Sequence, residues 1–184
     1  MAKKDKNKES LNRVFWIIKI TITAFLLSFA FSFLSEISLK NVNVIVGVLI
    51  LLFIIILGIL FDVVGVAMTS VDIAPFHAMN SRKKKGAKVA IKFIQNADKV
   101  ASICNDVVGD ICGIISGSAV SVVSLSIATI TNFPLVIVIL TVTALTAALT
   151  IGGKAIGKNI AINQSTKIVY GFCKIVSLFY RPKK

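Results

Sequence analysis

The sequence predicts an all-α fold, an integral membrane helical bundle of about four transmembrane helices with amphipathic juxtamembrane helices beside them. Two observations lead to this fold class. The 184-residue chain is 56% hydrophobic, with a mean hydropathy of +0.89. Its apolar residues form four runs, each with at least the roughly 20 residues that a spanning helix requires. The runs cover residues 14–34, 44–71, 101–129 and 133–152. Because little of the chain remains for a soluble domain, we expect one compact membrane domain.

The distribution of the basic residues predicts the orientation of the helices. The chain carries a formal net charge of +13, and its basic residues concentrate in the N-terminal tail, the second connection and the C-terminal stretch. The first connection has only Lys40, beside Glu36, and the third has no charged residue. This alternation follows the positive-inside rule, so we expect both termini in the cytoplasm. We expect the protein in a bacterial cytoplasmic (inner) membrane. The same alternation argues against nucleic-acid binding and favours contact with anionic lipids.

The N-terminal part is expected to contain a tail and an extra membrane helix. Residues 1–12 are polar and charged, which predicts a disordered cytoplasmic tail. Residues 13–42 are assigned to an extra N-terminal transmembrane helix and its outer loop, with Trp16 as an interface anchor. A basic tail before an apolar run is also typical of a signal peptide. This run is longer than a signal core and has no convincing cleavage motif, so we interpret it as a retained anchor.

Residues 43–182 are assigned to one transmembrane domain. Its first span changes character at Asp62, a carboxylate at membrane depth, and Pro75 is expected to end the helix. Residues 80–99 are basic with interspersed apolar positions, which predicts an amphipathic juxtamembrane helix on the inner membrane surface. The alternative interpretation is a solvated basic loop that only sets the topology.

The third apolar run contains two carboxylates, and these are the best pointer to function. Asp106 and Asp110 lie one helical turn apart, and Asn105 precedes them. A carboxylate in hydrocarbon is costly unless it faces a protein interior or a water-filled path. On a helix these three residues and Gly109 fall within roughly 140° of the circumference. Gly109 also belongs to a row of small residues at every fourth position. Such a row permits close helix approach, either inside the bundle or between two copies of the chain.

The polar residues predict a cation site rather than an enzyme. The available oxygens come from Asp62, Asn105, Asp106, Asp110, nearby Ser and Thr hydroxyls, and backbone carbonyls near Gly109. All are hard ligands, which suit Mg²⁺ or Ca²⁺ better than zinc or copper. No residue pattern indicates a Ser-His-Asp triad, a phosphate-binding glycine loop or a zinc cluster, so no enzymatic activity is expected. Three interpretations of the carboxylates stay open: a cation site or pathway, a proton relay, and structural pairs satisfied by Lys154 or by another helix.

Several short motifs, taken in order, resemble one known family. They are Phe61 with residues 67–70, then residues 86–88 and 96–98, then Cys104-Asn105, and finally residues 153–161. In these motifs the chain resembles the transmembrane domain of the cyclin M (CNNM)/CorC magnesium transporter family. We do not expect in this chain the regulatory cystathionine-beta-synthase domains that are usual in that family.

The chain departs from the family pattern at the polar centre. Asp62 stands where the family has serine, Gly65 and Lys154 where it has glutamate, Gly109 where it has asparagine, and Gly157 where it has proline. The centre is therefore rewritten, although acidic groups are still present in it.

The resemblance and the carboxylates together predict secondary, ion-coupled transport of a divalent metal cation by alternating access. Mg²⁺ is the expected transported ion and Na⁺ the candidate coupling ion. The expected metal ligands are Asp62, Asn105, Asp106, Gly109 and Asp110. Family resemblance also implies a homodimer. The alternative function is a transport-inactive membrane scaffold or regulatory subunit that retains the fold. A third is a channel or carrier for protons or a monovalent ion.

Overall fold

The computed structural model describes residues 14–26, 28–30, 32–33 and 43–179, and within these ranges every regular element is helical. The elements are α1 (Val14–Ala30), α2 (Val44–Ser70), α3 (Ala74–Ser81), α4 (Ala87–Ile94), α5 (Ala97–Ser102), a π-helix (Ile103–Gly109), α6 (Asp110–Thr131), α7 (Leu135–Asn163) and α8 (Ser165–Phe179). The predicted tail over residues 1–12 and most of the predicted outer loop lie outside the described residues.

Three helical segments of the described chain are long and apolar enough to cross a membrane. They are α2 with 27 residues, the continuous helix Ala97–Thr131 with 35, and α7 with 29. At about 1.5 Å per residue each exceeds the hydrocarbon thickness of about 30 Å. These spans confirm the predicted fold class, a helical membrane bundle. The predicted extra span corresponds to α1, which is a shorter apolar helix. Since its expected end near residue 34 lies outside the described residues, that span stays a prediction.

Helix α2 is the centre of the bundle, and it buries one stripe of its surface. The stripe recurs every three or four residues and consists of Gly47, Leu51, Ile55, Gly58, Asp62 and Gly65. Leu51 and Ile55 pack against Ala119 and Val120 of α6. A β-carbon added at Gly58 would lie 3.0 Å from a β-carbon of α6. The glycines of α2 therefore allow the two helices to approach closely, which buries apolar side chains on both.

The glycine row of the third span does not serve this contact. Gly113 and Gly117 are exposed, and a β-carbon added at either would meet no atom within 4 Å. The buried face of α6 lies elsewhere on the helix and includes Ser116, Ala119 and Val123. The row is thus free of contacts inside the chain at these two positions. Packing between two copies remains the open interpretation of the row.

The end of α2 differs from the expectation for Pro75. The helix ends at Ser70, and Val71 adopts an extended conformation with φ −86° and ψ 141°. Asp72 then accepts a hydrogen bond from the backbone N–H of Ala74 at 3.2 Å. Pro75 falls in the first turn of α3, where a missing N–H costs nothing because that group has no partner within the helix. Pro75 therefore starts the next helix instead of ending α2.

The basic segment 80–99, expected as one helix, is divided in the structure. Lys83 and Gly86 have positive φ angles of 53° and 87°, so the chain turns there. Helix α4 follows, and Asn96, with φ −122° and ψ 36°, separates it from α5. Side chains at Lys83, Lys84, Lys85 and Lys88 are exposed. Local backbone geometry at Gly86 and Asn96 overrides the periodicity that predicted a continuous helix.

The apolar face of α4 is buried by protein. Val89 and Ala90 pack in one cluster with Met68 of α2, Phe76 of α3 and Val169 of α8. We call this unit, made of α3, α4 and α8 on the C-terminal end of α2, the basic cap. Burial raises the pKa of the Cys173 thiol, also in this cluster, to about 12. The cap thus has its own apolar core and presents lysines on its outside.

Candidate cation site

The third span carries a wide helical segment where the polar cluster was predicted. Residues 103–109 form a π-helix between α5 and α6, and it includes Asn105 and Asp106. A π-helix is a rare element, and those that occur lie frequently at functional sites. Its wider turn redirects side chains and weakens backbone hydrogen bonds. The π-helix packs against α2, with Asn105 at Gly65. It therefore brings the third span to the part of α2 that carries Asp62.

Asp62 is buried within the bundle. The residue as a whole, backbone included, is only 6% exposed. One carboxylate oxygen, Oδ1, lies 3.6 Å from the Nζ of Lys154 on α7. The other oxygen, Oδ2, is buried without a hydrogen-bond partner among the described residues. An unpartnered buried oxygen of a charged group carries a large desolvation cost. Lys154 thus balances the charge of Asp62 but leaves one carboxylate oxygen without a hydrogen bond.

Asn105 faces Gly65 across the interface between α2 and the π-helix. A β-carbon added at Gly65 would overlap the amide of Asn105, with its Nδ2 2.9 Å away. The absence of a side chain at Gly65 therefore makes the space that the amide occupies. The Oδ1 of Asn105 is also buried without a hydrogen-bond partner in the described structure. Gly65 follows Asp62 by one helical turn, so Asp62 and the residue that Asn105 contacts lie on the same buried face of α2.

A groove of about 430 Å³ opens beside this interface. It is lined by Ile55, Gly58, Gly109, Asp110, Cys112, Gly113, Ile114, Ser116, Thr150 and Lys154. Asp110 is exposed in it, and Lys154 extends between this groove and Asp62. A β-carbon at Gly109 would lie 3.9 Å from the Lys154 ammonium. Lys154 thus lies beside Asp62 and Gly109, and it lines the same groove as Asp110.

Two of the Ser and Thr hydroxyls that the sequence offers as oxygen ligands line the groove, those of Ser116 and Thr150. Ser116 donates its hydroxyl hydrogen to the carbonyl of Gly113, and Thr150 donates to the carbonyl of Thr146, each at 2.8 Å. Because their hydrogens are engaged within their own helices, their oxygens keep lone pairs that can bind a cation. Spacing along one helix could not show which hydroxyls lie in one groove, since that depends on the packing of α6 beside α7.

Like Asn105, Asp106 is an expected ligand that the structure does not place in the groove. Its side chain is exposed, and it does not line the groove. Within the described residues, no group of three or more His, Cys, Asp or Glu side chains is placed to hold a metal ion. A bound cation would therefore need amide, hydroxyl or carbonyl oxygens besides a carboxylate. Hard cations such as Mg²⁺ accept such mixed oxygen sets and retain water ligands.

The three apolar spans, with a polar centre between them, define the chain as an integral membrane protein. The family comparison then identifies it. The chain belongs to the cyclin M transmembrane N-terminal domain family, whose family model matches residues 48–181. This confirms the resemblance drawn from the sequence motifs. The family is associated with divalent metal transport and is a membrane-domain family, not one of known enzymes. Comparisons with curated proteins and with solved structures found no significant match.

Proposed function

We propose that this protein transports a divalent metal cation, in the first place Mg²⁺, by a secondary, ion-coupled mechanism. One observation carries the proposal: Asp62 Oδ2 and Asn105 Oδ1 are both buried without hydrogen-bond partners in the described structure, and Asn105 lies against Gly65, one helical turn from Asp62. Buried oxygens of this kind are costly, and a bound cation would offset the cost. The family's association with divalent metal transport supports the same conclusion.

The residues fall into an inner and an outer group. Asp62 and Asn105, with the backbone at Gly109, would form the inner ligands because they are buried or lie beside the Lys154 ammonium. Asp106 and Asp110 are exposed and would attract the hydrated ion toward the inner group. Mg²⁺ dehydrates reluctantly and keeps several waters in protein sites, so an inner group of few protein ligands suits it.

Ion coupling requires that the inner group opens to each side of the membrane in turn. The π-helix is the element best suited to move, because a change from π to α geometry would rotate Asn105 relative to Gly65. We infer alternating access from this arrangement, with Na⁺ as the candidate coupling ion. The binding of one ion would then shift the equilibrium between the two arrangements.

A transport-inactive scaffold or regulatory subunit is the second candidate function, and one observation favours it. Lys154 already neutralises Asp62 at 3.6 Å. A permanent ion pair would satisfy the charge of the carboxylate without any metal. In that case the polar centre would hold α2 and α7 together, and the protein would act through its partners.

Mg²⁺ flux into proteoliposomes separates these functions. The wild type is compared with Asp62→Asn, Asp110→Asn and the matched control Asp98→Asn. Asp98 is an exposed carboxylate in the first turn of α5, away from the groove. We expect flux in the wild type and in Asp98→Asn, none with Asp62→Asn, and a reduced rate with Asp110→Asn. Removing the Asp62 charge deletes the buried anionic ligand, while removing Asp110 only weakens attraction of the ion.

Each outcome of the flux measurement has a clear meaning. Absence of flux in the wild type under both Na⁺ and proton gradients would reject transport and leave the scaffold function. Equal flux in the wild type and Asp62→Asn would reject the proposed site. Movement of protons or Na⁺ across the membrane that is independent of Mg²⁺ would favour a carrier of protons or a monovalent ion.

We further propose that the protein is a homodimer in a bacterial cytoplasmic membrane, with both termini and the basic cap on the cytoplasmic side. The exposed lysines of the cap support contact with anionic lipid headgroups. The exposed glycines Gly113 and Gly117 support close packing of α6 against a second copy.

A further inference from the structure

Lys154 has two surroundings within reach of its side chain. On one side its ammonium lies 3.6 Å from Oδ1 of buried Asp62. On the other side it lines the groove that also contains the carboxylate of Asp110. The lysine side chain is 31% exposed, whereas that of Asp62 is 9% exposed. Lys154 is therefore the partner that can leave the pair, and Asp62 is the partner that stays.

The contact between Lys154 and Asp62 is loose. A charge-assisted N–H···O hydrogen bond is typically about 2.7–2.9 Å long, shorter than the distance observed here. The second oxygen of Asp62, Oδ2, accepts no hydrogen bond from the ammonium or from any other group of the described residues. An oxygen-bound Mg²⁺ would approach to about 2.0–2.1 Å and carry twice the charge. A divalent ion would therefore interact more strongly with this carboxylate than the ammonium does.

Three of the residues that line the groove beside Lys154 are glycines, which add no side chains to it. Gly109 lies beside the ammonium, with a hypothetical β-carbon only 3.9 Å from Nζ, and Gly58 and Gly113 also line the groove. Lysine carries a compact charge on a flexible four-carbon stem, so its ammonium can change position without movement of α7. Asp110 offers an opposite charge at the new position.

We propose that Lys154 is a tethered cation that occupies the place of the metal at Asp62 and must be displaced toward Asp110 when a divalent cation binds. This inference rests on the proposed function, because it concerns control of the same site. A tethered ammonium competes with ions from solution at a high effective concentration. Monovalent ions carry the same charge as the ammonium and gain little by replacing it. Lys154 would therefore lower the affinity for all cations and favour divalent ones.

The test is the Mg²⁺ dependence of thermal unfolding in detergent, at constant ionic strength. Unfolding is followed with a thiol-reactive fluorescent dye, since all three cysteines are buried in the folded chain. Four proteins are compared: the wild type, Lys154→Met, Lys158→Met, and the double variant Asp62→Asn/Lys154→Met. Lys158 is an exposed lysine one turn further along α7 and serves as the matched control.

Displacement predicts a specific pattern across these proteins. Lys154→Met should unfold at a lower temperature without Mg²⁺, because Asp62 is then buried unpaired. Its midpoint for stabilisation by Mg²⁺ should fall about tenfold or more relative to the wild type. Lys158→Met should match the wild type. The double variant should regain unfolding temperature without Mg²⁺ and should show no response to Mg²⁺.

Other results would overturn the proposal. If Lys154→Met unfolds earlier but keeps a Mg²⁺ midpoint within about twofold of the wild type, the lysine is only a structural partner. If Lys154→Met and Lys154→Gln cannot be purified at any Mg²⁺ concentration, the metal cannot replace the lysine charge, which also contradicts displacement. A Mg²⁺ response retained by the double variant would place the metal elsewhere.

Transport and displacement can fail separately. Flux in the wild type together with an unchanged midpoint in Lys154→Met would keep transport and reject displacement. The wild type could instead show no flux while Mg²⁺ stabilises the Lys154→Met variant against unfolding. That result would keep displacement and reject transport by the native chain.

Discussion

Gly65 and Asn105 show how a single residue shapes the polar centre. Gly65 lies on the buried stripe of α2, and only a residue without a side chain leaves space for the Asn105 amide beside it. The atoms that a β-carbon would meet at Gly65 belong to the end of the Asn105 side chain and not to backbone. That amide can move. A side chain at Gly65 would therefore displace the ligand without unfolding the bundle.

We predict that Gly65→Ala folds normally but binds Mg²⁺ poorly. Alanine in a helix interior is favoured over glycine by about 1 kcal/mol, which offsets part of the steric cost. The midpoint for stabilisation by Mg²⁺ should rise about tenfold or more, as when supporting contacts of a metal site are lost. Gly152→Ala is the control, because its β-carbon would meet nothing within 4 Å. An unchanged midpoint in Gly65→Ala would remove Asn105 from the inner ligands.

At the scale of elements, the turn at Gly86 connects α3 and α4, two helices of the basic cap. Gly86 has a φ of 87°, a conformation that glycine adopts easily and other residues rarely. A β-carbon there would lie 2.9 Å from the α-carbon of Lys174 and 3.0 Å from its backbone nitrogen. Since these are backbone atoms of α8, they cannot rotate away. The turn and the packing of α4 on α8 therefore both depend on this glycine.

Gly86→Ala is predicted to destabilise the basic cap. The left-handed conformation alone costs roughly 1–2 kcal/mol for a residue with a β-carbon, and the overlap with α8 adds to it. We expect a lower unfolding temperature and faster proteolysis after the lysines at 83–85. Gly171→Ala, in α8 of the same cap, should behave like the wild type because its β-carbon would occupy open space. Equal proteolysis of both variants would show that α4 does not depend on the turn.

At the scale of the whole molecule, charge is separated from the apolar surface. The spans expose large apolar side chains, including Phe53, Leu140 and Ile151. The basic cap instead exposes lysines around a small apolar core of its own. A molecule divided in this way fits a bilayer, with its apolar surface in the hydrocarbon and the cap against the headgroups.

The cap is predicted to stabilise the protein in anionic membranes. The triple variant Lys83→Gln/Lys84→Gln/Lys85→Gln should lose most of the gain in unfolding temperature between zwitterionic nanodiscs and nanodiscs containing phosphatidylglycerol. Each lysine near an anionic surface contributes about 1 kcal/mol. The gain should also diminish as salt screens the headgroups. Lys40→Gln, expected on the opposite side, is the control. A gain that is equal in the wild type and the triple variant would contradict contact between the cap and anionic lipid.

Parts of the candidate site could be predicted and others could not. Asp62, Asn105 and Asp110 were recognisable because carboxylates and amides are conspicuous in apolar runs. Their arrangement was not, because sequence spacing treats the third span as a regular helix and gives no sign of the π-helix at 103–109. Neighbouring Asp106 therefore lies exposed, outside the groove that Asp110 lines.

The sequence by itself determined the membrane class, three of the expected spans, the positions of the basic clusters and the oxygen character of the polar residues. These follow from hydropathy and charge, which are properties of contiguous residues. Only the tertiary structure decided that Asp62 meets Lys154, that Gly65 receives Asn105, and that Gly113 and Gly117 face outward. Contacts between helices depend on how each helix is rotated and how closely it packs, and many side chains distant in sequence set that rotation together.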